Sequence, residues 1–184
     1  MSVTTRSFAN RLLTLALAGL VMTSGAATLA PRLPNAVASL LPEASLRGTP
    51  ELAWFGLPIY DAYYWSSERA YDPRRPFALD LHYRRALDGD RIAERSSAEI
   101  ARLRFGSEAE RQRWDERMKL LFPDVRRGDS IVGVNLPGVG VQFFHNGAAL
   151  GTIDDPRFAE AFFAIWFDAR TSRPDFRRQL IGAP

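Results

Sequence analysis

The chain has 184 residues, 46% of them hydrophobic, with no cysteine and a formal net charge of +3. That length allows one domain with a real core, and the missing cysteines exclude disulfide staples and thiolate chemistry. The basic pairs Arg74-Arg75, Arg84-Arg85 and Arg126-Arg127 are interleaved with acids, and Lys119 is the lone lysine. A nucleic-acid binder needs a concentrated basic stripe, so that function is not expected.

Arg6 and Arg11 lead into an apolar run, Leu12–Val21, followed by small residues at Ser24, Gly25, Ala26 and Ala27. This is the pattern of a secretory signal peptide, with cleavage expected after Ala26 or Ala27 and a periplasmic or secreted product. The alternative is an uncleaved anchor continuing to Ala30. Thr23, Ser24 and Gly25 weaken that helix, and a membrane span wants about 20 mostly apolar residues. Losing Arg6 and Arg11 lowers the formal charge from +3 to +1. The expected organisation is a signal peptide over 1–26, a linker rich in Ala, Pro and Leu over 27–43, and one domain over 44–182.

Within the domain, Leu52–Trp65 is apolar or aromatic on both alternating faces, interrupted by Gly56 and Pro58. It reads as one buried strand with a bend at Gly56–Pro58. Phe77, Leu79, Leu81 and Tyr83 alternate with Ala78, Asp80, His82 and Arg84, which predicts a strand with one buried face. Asp88–Arg104 and Ser107–Leu121 read as helices, the second with Trp114, Met118 and Leu121 inward. Phe122-Pro123 stops that helix, because the residue before proline is pushed out of the α region. Strands follow at Ser130–Leu136, Val141–His145 and Ala148–Ile153. Pro137–Gly140 turns the first pair, and Asn146-Gly147 accepts the positive φ angles of a tight hairpin. Asp154-Asp155-Pro156 starts a helix whose Phe158, Phe162, Ile165 and Trp166 share one face. Strands, then helices, then a meander and a helix describe an α+β domain.

Chemistry is sparse along this chain. His82 and His145 stand on strands without a partner in sequence and read as solvent-face or rim residues. No HExxH spacing supports a metal site, and no cofactor is expected. Gly138-x-Gly140 reads as a hairpin turn, not a phosphate loop, and no G-x-S-x-G elbow occurs. Glu94 and Glu99 share a helix with Arg91, Arg95 and Arg102 at salt-bridge spacing. Asp61 interrupts the aromatic strand and reads as structural. Arg47 stands in the short segment Ser45-Leu46-Arg47-Gly48 before that strand. It could clamp a carboxylate through two parallel hydrogen bonds or pair with an acid at the sheet edge, and the residues alone leave both open.

The segments SLRGTPELAWFGLPIYDAYYW, PFALDLHYRR, RIAERSSAEIARL, LFPDVRRGDSIVG, FFHNGAALGTIDDPRFAEAFFAIW and DARTSRPDFRRQLIG occur in that order over residues 44–182. In this the chain resembles the bacterial chalcone isomerase-like proteins. The resemblance implies an antiparallel β-sheet with helices packed on one face and a ligand cleft between them. It also implies that Arg47 corresponds to the cleft arginine of true chalcone isomerases and related fatty-acid-binding proteins, which lies in a similar R-G step. Matched to the enzymes, Phe55 falls at a strand threonine, Ile100 at the catalytic tyrosine, and Ile165 and Trp166 near a Thr-Met pair. Ring closure of a chalcone needs donors for the developing oxyanion, and these positions carry hydrocarbon instead. The expectation is a protein without isomerase activity that binds a small apolar or fatty-acid-like anion through Arg47, Phe55, Leu57, Ile100, Ile165 and Trp166. An intramolecular lyase using other residues, and a structural or partner-binding protein with a filled cleft, are the alternatives.

Overall fold

The computed structural model describes Met1 and residues 31–182, so the proposed signal peptide lies outside the described residues. One antiparallel sheet of seven strands organises the domain. The strands are β1 (Ser45–Gly48), β2 (Glu51–Trp54), β3 (Leu57–Ser66), β4 (Phe77–Tyr83), β5 (Ser130–Leu136), β6 (Gly140–His145) and β7 (Ala148–Ile153). Their order is β1-β3-β4-β5-β6-β7, with β2 also paired to β3. The helices are α1 (Asn35–Ala38), α2 (Gly89–Leu103), α3 (Glu108–Leu121), α4 (Pro156–Phe167) and α5 (Pro174–Leu180). The pair α2–α3 is inserted between β4 and β5, which are themselves hydrogen-bonded neighbours. The α+β architecture expected from the sequence is the one observed.

Leu52–Trp65 is not a single bent strand. Phe55 and Gly56 both have positive φ, 48° and 76°, as a two-residue hairpin turn of the primed type requires. Trp54 pairs with Leu57 and Glu51 with Asp61. The apolar pattern concealed this hairpin because both of its arms are apolar, so no polar segment marks the turn. β1 takes the second half of the same edge, with Ser45 opposite Ser66 and Gly48 opposite Tyr64. Asn146-Gly147 makes the expected β6–β7 hairpin, with φ of 50° and 82°.

Alternation along the strands gives the sheet two apolar faces. On one, Ala62, Tyr64, Phe77, Leu79, Leu81, Tyr83, Ile131 and Phe143 meet residues of α2, α3, α4 and α5 in the main core. On the other, Trp65, Ala78, Val132, Val134 and Phe144 are covered by Val37 and Leu41. Residues 31–43 are therefore not a linker. They form α1 and its flanks, with Val37 fully buried. A segment that short shows no helical period, and its burial is decided by the exposed sheet face it covers.

The helix ends follow local chemistry. Ser107 and Glu110 form a capping box at α3, where Ser107 Oγ accepts from the Glu110 amide and the Glu110 carboxylate accepts from the Ser107 amide. Asp88 sits at the N-cap of α2 without a side-chain capping bond, and Asp124 Oδ1 accepts instead from the Gly89 amide at 2.9 Å. Asp155 caps α4, accepting from the amides of Arg157 and Phe158. Its other oxygen accepts from Trp114 Nε1 at 2.8 Å, tying α3 to the start of α4. Burial pushes the Asp155 carboxyl up, but the Trp114 and backbone hydrogen bonds prevail and hold it below its ordinary value. Among the described residues no helix is long and apolar enough to cross a membrane.

The covering role of α1 gives a direct expectation. Val37→Asp buries an unpaired carboxylate and should lower unfolding stability by at least about 2 kcal/mol. A urea melt followed by circular dichroism should show a lower midpoint, whereas a linker position would leave it unchanged.

Candidate ligand-binding cleft

A cavity of about 280 Å³ opens between the helix-covered face of the sheet and α2, α4 and α5. The sheet contributes Leu52 and Trp54 from β2, Ile59 and Tyr60 from β3, Leu81 and Tyr83 from β4, and Ile131 from β5. Helix α4 contributes Phe162, Ile165 and Trp166, and α5 contributes Phe176. Its polar side chains come from α2, as Arg91, Arg95, Ser96 and Glu99, and from the α4–α5 connection, as Ser172 and Arg173. Apolar walls with a few convergent polar groups are the usual make-up of a small-molecule site.

Two details order the interior. Trp166 Nε1 donates to Tyr60 Oη at 2.9 Å, joining α4 to β3 across the cleft. Burial pushes the Tyr60 phenol up to about 12, and the Trp166 bond offsets only part of that. Burial also pushes the Tyr83 phenol well above its ordinary value. Both cleft phenols therefore stay protonated at neutral pH and can donate a hydrogen bond, but neither serves as a phenolate.

The rim is cationic and partly neutralised. Glu99 is 5% exposed and accepts from Arg95 Nη2 at 2.5 Å and from Arg102 Nε at 2.8 Å. Burial raises its pKa, but the Arg102 bond and the Arg95 charge outweigh it, and the carboxyl is held below its ordinary value. It is kept ionised near neutral pH. Arg91 pairs with Glu94. Arg173 differs: its guanidinium lies over the Trp54 ring, 4.8 Å from the centroid, and no carboxylate lies within ion-pair distance among the described residues. Thr171 Oγ1 donates to the Ile165 carbonyl and Arg177 Nε to the Phe167 carbonyl. These bonds satisfy the end of α4 and fix the connection that presents Arg173.

Of the six residues expected to bind a ligand, Ile165 and Trp166 line the cleft, and Arg47, Phe55, Leu57 and Ile100 lie elsewhere. Phe55 is 91% exposed and Leu57 58% exposed, because the hairpin turn carries both beyond the sheet. Ile59 and Tyr60 occupy the wall in their stead. Ile100 is 1% exposed in the main core, on the neighbouring face of α2 from Ile92, Arg95 and Glu99. Arg47 does not line the cleft. Its Nε donates to the Ser66 carbonyl at 3.0 Å and its Nη2 to the Ser67 carbonyl at 2.9 Å, which secures the end of β3. The glycine beside it has its own reason: a Cβ at Gly48 would stand 2.0 Å from the Leu180 carbonyl oxygen of α5. The histidines stay out of the cleft. His82 Nε2 bonds Asp80 at 2.9 Å on the opposite sheet face, and His145 lies 3.8 Å from Asp129. Asp61 pairs with Arg84 at 3.1 Å. Among the described residues no group of three or more metal-ligating side chains could hold an ion.

The polar side of the cleft has a signal in the sequence. Ile92, Arg95, Ser96 and Glu99 fall at helical spacing on one side of α2, and Arg173-Pro174 marks a helix start, with proline in the first turn.

The profile of the family described as chalcone isomerase-like matches residues 67–182. The chain belongs to the chalcone isomerase-like family. The match begins after β3, so Arg47 and the β2–β3 hairpin precede it. Among solved structures, that of the Arabidopsis thaliana fatty-acid binding protein AtFAP1 is similar, with a TM-score of 0.60 at 10% identity. The likeness covers 76% of this chain and 87% of that one, and at such identity it concerns the fold. No curated protein matches the sequence.

The buried phenols set an alkaline limit. A phenol whose folded pKa lies above its unfolded value of about 10 keeps its proton more firmly in the folded state. The unfolded chain therefore gains first from deprotonation, and stability falls as pH rises from about 10 towards about 12 for Tyr60. The loss from Tyr60 alone is on the order of 2–3 kcal/mol. The circular dichroism signal of the folded chain should be lost over this alkaline range, and in Tyr60→Phe the alkaline midpoint should move up.

Proposed function

We propose that this chalcone isomerase-like protein is a binding protein for a small amphipathic acid, and not an isomerase. The observation that carries the reading is the apolar cleft whose rim holds Arg173, stacked on Trp54 and, among the described residues, without a carboxylate partner. A guanidinium in that setting forms charge-assisted hydrogen bonds to a carboxylate, while the cleft walls take up the apolar body. Arg95, already committed to Glu99, reinforces the positive potential without being the primary partner. A volume of about 280 Å³ lies near the low end of small-molecule sites, roughly 300–1,000 Å³. It favours a short-chain or single-ring acid over a long fatty acid. The fold neighbour's name, fatty-acid binding protein, is consistent with an acid ligand.

The chemistry of the cleft supports binding over catalysis. Its phenols are held protonated and its carboxylate is held ionised by two arginines. Among the described cleft residues no pair of groups is poised to exchange a proton with a substrate near neutral pH. Export also belongs to this reading, resting on Arg6, Arg11 and the Leu12–Val21 run. N-terminal sequencing of the periplasmic protein should begin near Ala27 or Thr28.

Arg173→Gln should weaken binding of octanoate by about 1.5–3 kcal/mol, the range for hydrogen bonds to a charged group, and leave binding of octanol unchanged. Arg47→Met should spare octanoate binding and lower thermal stability, since it leaves the carbonyls of Ser66 and Ser67 without their donor. Calorimetric titration of both variants decides between the two arginines. Equal octanoate affinity in Arg173→Gln and the parent would overturn the reading, as would stereoselective cyclisation of a chalcone by the purified protein.

A further inference from the structure

Two hydroxyl protons of the cleft find no acceptor among the described residues. Tyr60 and Tyr83 are directly paired across β3 and β4, with ring centroids 6.0 Å apart, and both line the cavity. Tyr60 Oη accepts the Trp166 indole N–H at 2.9 Å, which orients the phenol and leaves its own O–H to donate elsewhere. Tyr83 is only 3% exposed, and its hydroxyl feels burial and the Tyr60 phenol but no hydrogen bond. Unlike the Tyr64 hydroxyl, which protein encloses, that of Tyr83 keeps access to the cavity.

Buried hydroxyls are seldom left without partners, because an unmade hydrogen bond forfeits what water supplied. Other polar groups of the cavity are engaged within the protein: Ser96 Oγ with the Ile92 carbonyl, Arg91 with Glu94, and Glu99 with Arg95 and Arg102. Arg173 at the rim and the two phenols further in are what a ligand meets. A methylene chain offers the phenols nothing. A ligand hydroxyl brings a third proton to a place already short of acceptors. A carbonyl oxygen accepts two hydrogen bonds and brings no proton, so it matches two phenols that burial keeps protonated.

We propose that the cleft selects an oxo acid, whose carboxylate meets Arg173 and whose apolar body carries a ketone oxygen accepting from Tyr60 and Tyr83. The head rests on the acid-binding reading, whereas the ketone pocket stands on the phenols alone. A site built to donate hydrogen bonds rejects the analogue that lacks the acceptor, since its own polar groups are then left unpaired. Tyr83 is thus a specificity-determining residue, and Trp166 a positioning residue that acts through Tyr60.

Calorimetric titration should compare octanoate with octanoates that carry one ketone, placed in turn at each carbon from the fourth to the seventh. In an apolar cavity without donors a ketone loses its water and binds worse than the plain chain. Here the best-placed isomer should bind about tenfold tighter than octanoate. Tyr83→Phe should remove most of that preference, changing octanoate affinity far less, and should hold the thermal midpoint, since the hydroxyl has no described protein partner to lose. The infrared carbonyl band of the bound ketone should lie below its position in alkane and rise again in Tyr83→Phe. Arg173→Gln should weaken all the acids in parallel and keep the ketone preference. If it spares every acid while the preference persists, the placing of the head fails and the ketone pocket stands. The proposal is overturned if no ketone isomer binds tighter than octanoate, which would leave the phenols to water. It is also overturned if Tyr83→Phe weakens octanoate and the oxo acids equally, which would put the carboxylate on the phenols.

Discussion

Helix α4 is the constraint from which the rest of the domain follows. Phe158, Ala159, Ala161, Phe162, Phe163, Ala164, Trp166 and Phe167 are all buried, leaving almost no face for water. A helix apolar on nearly every side must be enclosed, and here the sheet lies beneath it while α2 and α5 pack alongside. Asp155 makes the enclosure directional. One carboxylate caps the helix and receives the Trp114 indole, so the start of α4 and the middle of α3 are set together. At the other end, Thr171 and Arg177 satisfy the last carbonyls and fix the connection to α5.

The cleft is a consequence of that arrangement. Large rings from α4 and β3 cannot fill the space towards α5 and the β2–β3 hairpin, and the Trp166–Tyr60 hydrogen bond holds the two walls at a fixed separation. Desolvation then determines the chemistry. It keeps the phenols protonated, whereas Glu99 stays ionised because two guanidiniums restore what burial removes. Among the described cleft residues, Arg173 is the cation with no carboxylate within ion-pair distance and so is available to a ligand. Stacking on Trp54 orients it without neutralising it.

Arg47 holds backbone carbonyls and not a ligand. Its place before an aromatic strand suggested a clamp for an anion, and its planar donors do form two hydrogen bonds. They reach the carbonyls of Ser66 and Ser67 at the end of β3. The adjacent glycine is fixed by the approach of α5, so the R-G step has a structural explanation at this position.

The sequence by itself determined the meander from Ser130 to Ile153, the helix start at Asp155, the two long helices and the α+β class. Each rests on local rules, period, turn and cap, that act within a few residues. The family resemblance, not a local pattern, marked Ile165 and Trp166 as ligand-facing, and both line the cleft. What the sequence could not place were features decided by contacts between distant segments. The Phe55–Gly56 turn hides in a run apolar on both arms, and the fate of residues 31–43 depends on a second apolar sheet face they alone do not reveal. Arg173 and Glu99 meet the cleft only because α2 and the α4–α5 connection converge on it. Tertiary structure decided these, since burial and charge pairing depend on which surfaces the fold brings together, and neighbouring residues in the chain carry no record of that.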